Sequence, residues 1–519
     1  MTPVELSIFV NRVGAICLEM GAVLERSSLS PNIKDRLDFS CALFDTTGGL
    51  VAQAAHIPVH LGSMAYAMRD LVYGLDWRPG DVLVVNDPFL GGTHLPDVTL
   101  ISPCIVESTL MGFVANRAHH ADIGADSPGS MPLSSTLDEE GLVIPPTLLI
   151  RDGALTAEGH DLYSRSSEGT AGDLAAQQSA VGIGVQRLAA LIAGQGPDGY
   201  RSGLKELNAY AARLSVETYR AIPNGVFQAE DVMDDDGSGN VDIPLRVAVT
   251  ISEDAILVDF KGTADQVEGN INCPMPVTAA AVLYCFRGLL PEEVPSCAGT
   301  FAHIEISAPS RCLVNAQRPA AVAAGNVETS MRIVDLVLRA LEQAIPEAIP
   351  AAAQGTMNNL AMGARPAQGA STQRWDYYET IAGGTGAFSG GDGLSGVQAH
   401  MTNTLNTPIE CLESHYPLRV TAYGIRRHSG GNGQFRGGDG LVRSLKFLEP
   451  AEVTLLTERR RHPPWGLGGG QYGKVGRNTL DGEELPPKCH LRVAAGQELT
   501  IETPGGGGFG PAAREGDSG

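Results

Sequence analysis

At 519 residues the chain is too long for one ordinary hydrophobic core, so two or three domains are expected. Hydrophobic content of 43% and charged content of 18% describe a soluble globular protein and exclude a disordered one. With a net charge of -22 and only short basic clusters such as "ERRRH" at Glu458–His462, nucleic acid is excluded as a partner.

The N-terminal stretch "MTPVELSIFVNRVGAICLEMGAVLERSS" lacks a basic leader, and Glu5, Arg12 and Glu19 interrupt its apolar residues. Val13, Ile16, Met20, Val23 and Leu24 recur at helical spacing, which predicts an amphipathic helix and not a signal peptide. No apolar run approaches the ~20 residues that span a bilayer. Nine scattered cysteines without a C-x-x-C pair read as reduced thiols, so a cytoplasmic protein with no membrane partner is expected.

Short strand-like pieces follow to about residue 165: "SCALFD", "DVLVVND", "VTLISPCIV" and "GFVANRA". From Gly172 to Ile222 the pattern turns helical. Leu174, Val181, Val185, Leu188 and Ile192 line one face, "GQGPDG" breaks it, and Leu204, Leu207, Ala211 and Leu214 begin a second helix, which predicts an αα-hairpin. Leu245, Val247, Val249 and Ile251 then alternate, and "AILVDFKG" follows a Ser-Glu-Asp turn, so a β-hairpin is expected. Val334, Val337, Leu338 and Leu341 mark a further amphipathic helix before Pro346. Gly383 to Asn406 is glycine-rich and polar, and the last ninety or so residues read as short strands joined by glycine turns.

"GGGQYGK" ends like a phosphate loop, but Val475 replaces the Ser or Thr that would hold Mg²⁺ and no clear buried strand precedes it. A plain glycine turn is the expectation, and the chain shows no nucleotide motif of its own. "TPGGGGFG" reads likewise as a flexible or close-packing loop.

The stretch "NDPFLGGTHLPD", Asn86 to Asp97, is different. Two prolines and a Gly-Gly pair stiffen it around His94, with Asp97 three residues on, and both residue types suit Zn²⁺ or Mn²⁺. "VTLISPCIV" and "MGFVANRA" flank "ESTL", which reads as a hairpin turn. Folding back there sets Asp97 opposite Ala118 to His120, where cross-strand Cβ atoms are ~5 Å apart. Adjacent strand residues face opposite ways, so only one of His119 and His120 is expected at the metal. Asp87 reads as a turn-former.

"NDPFLGGTHLPDVTLISP" together with "AHHADIGADSPGSMP" resembles the hydantoinase B/oxoprolinase family, the metal-binding partner subunit of ATP-dependent hydantoinases, lactamases and oxoprolinases. "RLDFSCALFD", "DFKGTADQVEGNINCP", "AGNVETSMRIVD", "HMTNTLNTPIECLESHYPLR" and "SGGNGQFRGGDG" carry the resemblance along essentially the whole chain. It implies that a separate hydantoinase A-like ATP-binding subunit phosphorylates the carbonyl oxygen of a small cyclic amide, and that this subunit then hydrolyses the ring at a divalent metal, Zn²⁺ or Mn²⁺, within a hetero-oligomer. By the family pattern the metal falls to Asp38, His94, Asp97 and His119, with His120 or Asp122 orienting or deprotonating water. Without the resemblance Asp38 is a surface or turn carboxylate, and Asp45 is its rival as fourth ligand. His60 is expected to pack near the site. Ala125 stands where the family usually has a second glycine, a departure that removes no ligand. His400, Asn403 and Thr404 offer polar groups in the glycine-rich segment, although an ordered loop held by side-chain-to-backbone bonds is the simpler reading.

The expected fold is therefore α+β, multi-domain and glycine-rich. An N-terminal metal-site domain covers 1–165, a helical hairpin 166–225, a mixed α/β domain with a substrate-chamber segment 226–425, and a β-rich region 426–519. The leading expected function is ATP-dependent opening of a hydantoin, 5-oxoproline or lactam ring. A ketone carboxylase subunit and a non-catalytic metal-stabilised scaffold are the alternatives. A loop of His and Asp that leaves a coordination position open argues against the scaffold.

Overall fold

The computed structural model describes residues 1–54, 57–253, 255–365 and 374–512. The fold is α+β, with four sheets among the described residues. The first sheet is antiparallel throughout and holds β1 (Phe39–Phe44), β2 (Leu50–Gln53), β3 (Val82–Val85), β4 (Asp97–Val106), β5 (Thr109–His119), β6 (Thr147–Arg151) and β7 (Ala154–Leu155), in the order β2-β1-β5-β4-β3-β6-β7. β4 and β5 form the expected hairpin, turning at Glu107 and Ser108, both in the left-handed region.

Both faces of this sheet are covered, which is why its strands read as near-continuous hydrophobic runs instead of alternating. Val84, Leu100 and Val114 face α1 (Pro3–Ser27) and, further along the chain, the helix Glu168–Gln195. Leu83, Val85, Ile101 and Phe113 face α2 (Pro58–Val72), which contributes Met64, Ala67, Met68 and Leu71. α1 opens on a capping box in which Thr2 and Glu5 each take the other's backbone N–H. It has the length and apolar content to cross a membrane, yet Phe9, Val13, Ile16, Met20 and Leu24 are packed into the core.

The helical hairpin is α3 (Glu168–Gln195) and α4 (Pro197–Tyr219), broken only at Gly196. A second sheet follows, with β8 (Gly225–Asp235), β9 (Val241–Ile251), β10 (Ile256–Asp259) and β11 (Ile304–Ser307) in the order β11-β10-β9-β8. β9 and β10 are the expected hairpin, Ile251 pairing with Ile256; Asp254 of its turn lies outside the described residues. Leu245, Val247, Val249 and Ile251 pack under α5 (Met275–Gly288) and α6 (Ser330–Glu342). α5 also meets α2 closely: a Cβ on Gly62 would stand 2.7 Å from the Ala280 Cα.

The C-terminal sheets share one core. Asn359–Ala364, Trp375–Glu379, Ala451–Leu456 and Lys488–Val493 form the third sheet, and Leu418–Arg426, Gly440–Phe447, Arg477–Leu480, Glu483–Glu484 and Glu498–Glu502 the fourth. Leu360, Met362 and Leu455 from one meet Leu441, Leu445 and Ile501 from the other. "TPGGGGFG" is a close-packed loop: a Cβ on Gly506 or Gly507 would fall 1.9 or 2.0 Å from the carbonyl oxygens of Thr385 and Trp465. All nine cysteines are unpaired thiols, seven of them buried.

Candidate metal centre

The loop from Asn86 to Asp97 is held from inside. The Asn86 side chain donates to Leu95 O and Leu142 O at 2.8 and 2.9 Å and accepts from Ile144 N at 2.6 Å. Gly92 passes so near Asn86 that a Cβ would lie 2.2 Å from its carbonyl oxygen. Asp87 closes its own turn on Phe89 N and pairs with Arg318. The chain therefore enters β4 with His94 and Asp97 fixed.

β4 and β5 pair Asp97 directly with His119. The ligand atoms of His94, Asp97 and His119 lie within 4.8 Å of one another, and all three residues are buried. His94 Nδ1 and Nε2, Asp97 Oδ1 and His119 Nε2 have no hydrogen-bond partner among the described residues, although His94 Nε2 stands 3.3 Å from Asp97 Oδ2. Buried polar atoms are almost always paired, so a converging group of orphans points to a missing partner. Two imidazoles and a carboxylate fit a divalent transition ion by donor type.

The surrounding residues orient these three. Asp97 Oδ2 accepts from Thr93 Oγ1 at 2.6 Å and from His60 Nε2 at 3.3 Å, while His60 Nδ1 bonds Ser40 Oγ at 3.0 Å. His119 Nδ1 is 3.0 Å from the Asn32 carboxamide. The nearer amide atom is Asn32 Nδ2, and Asn32 Oδ1 accepts from Arg36 Nη1 at 3.5 Å. Tyr378, from the third sheet, covers the other face of His119.

The electrostatics suit a cation. Burial is the largest influence on Asp97 and opposes its charge, but His94 and His60 outweigh it and hold the carboxyl well below its usual range. Burial, reinforced by His94, pushes His119 well below an ordinary histidine, which leaves a neutral imidazole. Burial pulls His94 down as well, but Asp97, Glu140 and Asp38 raise it on balance. A divalent ion binds the deprotonated forms and displaces such a proton.

Asp38 precedes β1, whose Phe39 pairs with Ala118, and its carbonyl accepts the His119 N–H at 3.0 Å. It lines one cavity with His60, Asp97, His119 and Asn326, of about 20 Å³, where a water needs roughly 10–15 Å³. Burial raises its carboxyl, with Arg36 pulling it back. Asp45 is elsewhere: its Oδ1 closes the β1–β2 turn on Thr47 N and Gly49 N, both at 2.8 Å. His120 faces α3, where Nε2 bonds Gln177 Oε1 at 2.9 Å, and Asp122 is held by Arg374 at 2.7 Å. Both line a separate cavity of about 630 Å³ and neither lines the small one beside Asp97 and His119. Of the glycine-rich segment, Thr404 reaches the small cavity together with Thr402 and Met401, while His400 bonds Asp335 at 3.1 Å and Asn403 is exposed. Asn32, Asn326 and Tyr378 escaped the sequence reading. Asn326 lies inside "AGNVETSMRIVD", one of the segments that carry the family resemblance, and that was the available signal.

The hydantoinase B/oxoprolinase family model matches residues 2–512. The chain belongs to this family. It is 41% identical to 5-oxoprolinase 1 of Arabidopsis thaliana over 98% of its own length, yet spans only 42% of that protein. The hydantoinase B fold here superposes on the ATP-dependent caprolactamase of Pseudomonas jessenii with a TM-score of 0.91 and 27% identity, covering 98% of this chain and 91% of that one. An acetone carboxylase structure shares the fold at a TM-score of 0.85 and 18% identity, over 98% of this chain and 76% of that one.

Proposed function

We propose that this chain is the metal-dependent hydrolytic subunit of an ATP-dependent cyclic amidohydrolase, opening a hydantoin, 5-oxoproline or lactam ring whose carbonyl a hydantoinase A-like partner has phosphorylated. The observation that carries this reading is the convergence of unpartnered ligand atoms from His94, Asp97 and His119. Asp38, on the wall of the same cavity, is the fourth ligand in this reading. When bound, a Zn²⁺ or Mn²⁺ ion supplies Lewis acidity that makes hydroxide available near neutral pH. His60 and Thr93 hold Asp97 charged and oriented, Asn32 holds the His119 ring in place, and Tyr378 excludes water from its face. His120 and Asp122 lie outside the cavity, so positioning the water falls to residues that line it.

An unstrained cyclic amide is a poor electrophile. Phosphorylating its oxygen weakens the amide resonance and creates a good leaving group, which is what the ATP requirement named for the caprolactamase would achieve. That step is assigned to a partner in a hetero-oligomer, and four backbone donors of the phosphate-loop look-alike here are already taken. Gly470 N, Gln471 N, Gly473 N and Lys474 N all bond carbonyl oxygens, those of Leu467, Asn432, Pro464 and Ser429. Reduced thiols and a packed first helix support a cytoplasmic location.

The test combines the chain with its ATP-binding partner and ATP, and measures ring opening across lactams and hydantoins beside bicarbonate-dependent ketone consumption. ATP-coupled ring opening is expected. Ketone carboxylation without any ring opening would overturn the reading.

A further inference from the structure

Glu140 closes a short helical turn, Leu137–Glu140, and is fully buried. Its carboxylate is used at one end only. Oε1 accepts from Ser134 Oγ at 2.8 Å and from Val322 N and Ala323 N at 2.8 and 2.9 Å. Oε2 has no donor among the described residues. An unmatched buried oxygen carries the full cost of leaving water, so one that persists beside a site points to a partner.

The surrounding contacts place Glu140 beside His94. A single amide nitrogen, Asn86 Nδ2, donates to Leu95 O at 2.8 Å and to Leu142 O at 2.9 Å. The residue after His94 and the second residue after Glu140 therefore share one donor. On the other side, Val322 and Ala323 lead into a single turn of π-helix, Gly325–Thr329, whose Asn326 Nδ2 stands 3.5 Å from Asp97 Oδ2. The charges agree with this placement. Burial lowers His94, and Asp97 and then Glu140 raise it. Burial lifts Glu140 itself to about 7, against the pull of its hydrogen bonds and of His94.

His94 needs a partner of this kind. Its Nε2 lies on the ligand side, 3.3 Å from Asp97 Oδ2, and its buried Nδ1 has no partner among the described residues. An imidazole that gives one nitrogen to a metal carries its proton on the other, and that N–H is almost always taken up by a carboxylate, a carbonyl or a water. A buried donor and a buried acceptor are thus left over on neighbouring segments, and each supplies what the other lacks.

We propose that Glu140 Oε2 accepts the Nδ1–H of His94, directly or through one bound water, and is the positioning residue that fixes the tautomer and orientation of this ligand. The inference rests on the metal reading above and adds to it a residue outside the ligand set. A carboxylate in this place also makes the imidazole a stronger donor to the ion.

The test uses the full chain and Zn²⁺ alone, with affinity read by chelator competition in wild type, Glu140→Gln and Ser134→Ala. Competition reports only on chains folded well enough to bind, so it does not depend on the folded fraction. Glutamine keeps an oxygen for Ser134, Val322 N and Ala323 N and puts an NH₂ group where Oε2 stood. Ser134→Ala loosens the tether and leaves Oε2 untouched. Glu140→Gln is expected to bind Zn²⁺ about 10–100-fold more weakly, and Ser134→Ala to stay near wild type. Wild-type affinity in Glu140→Gln, or an equal loss in both variants, would overturn the role of Glu140 and leave the metal reading standing. No Zn²⁺ bound by wild type would overturn both.

Discussion

Tyr378 lies flat against His119, with ring centroids 4.9 Å apart and planes 7° from parallel. The Arg36 guanidinium sits 4.9 Å from the centre of the same tyrosine ring, and the Tyr378 hydroxyl donates to Asn359 Oδ1 at 2.7 Å. A strand of the third sheet is thereby part of a site whose candidate ligands come from the first. Tyr378→Leu removes the stack and is expected to weaken divalent-metal affinity about 10–100-fold, as loss of a ligand's supporting partner does. Tyr378→Phe keeps the stack and should stay near wild type. Chelator competition reads both, and a leucine variant with wild-type affinity would dismiss the contact.

Glu328, on the π-helical turn, is pushed up to about 8, chiefly by burial, with the Thr356 and Met357 hydrogen bonds opposing. Its folded value lies above the ordinary carboxyl value of 4.5. Its stabilising contribution is therefore complete below the unfolded pKa and is lost as pH rises through about 8. Glu328→Gln keeps an acceptor for Met357 N and Asn359 Nδ2, which Oε1 now serves at 2.9 and 2.6 Å, and cannot ionise. Relative to wild type the variant should gain stability between about pH 5 and about pH 9, read from denaturant midpoints. A difference independent of pH would contradict the assignment.

Arg443 and Glu379 form a buried fork, Nε to Oε1 at 3.1 Å and Nη2 to Oε2 at 3.0 Å. Glu379→Ala strands the guanidinium and should cost about 3–5 kcal/mol in chemical denaturation. The double replacement Glu379→Leu with Arg443→Met should recover most of that loss. A single variant as stable as wild type would show that water already reaches the pair.

The β4–β5 hairpin was legible in the sequence because its turn and both strands are contiguous, so local pattern alone set Asp97 opposite His119. The helical hairpin and the β9–β10 pair were legible for the same reason. Asp38 was not, since pairing β1 with β5 is a non-local choice that periodicity cannot express, and only the family resemblance brought it forward. Asn32, Asn326 and Tyr378 were hidden for a related reason: Asn32 meets His119 only once β1 has paired with β5, and Asn326 and Tyr378 reach Asp97 and His119 only after separate parts of the chain have packed together. α2 and α5 were also missed. α5 is buried nearly all round and α2 is covered on two sides, so the amphipathic stripe that revealed α1 and α6 is blurred in both.

The central claim is that His94, Asp97 and His119 hold a divalent ion, and elemental analysis of wild type beside His94→Ala tests it most directly. About one Zn²⁺ or Mn²⁺ per chain is expected in wild type, and less than about a tenth of that in the variant, with the fold retained by circular dichroism. A full complement of metal in His94→Ala, or none in the wild-type protein after metal supplementation, would contradict it.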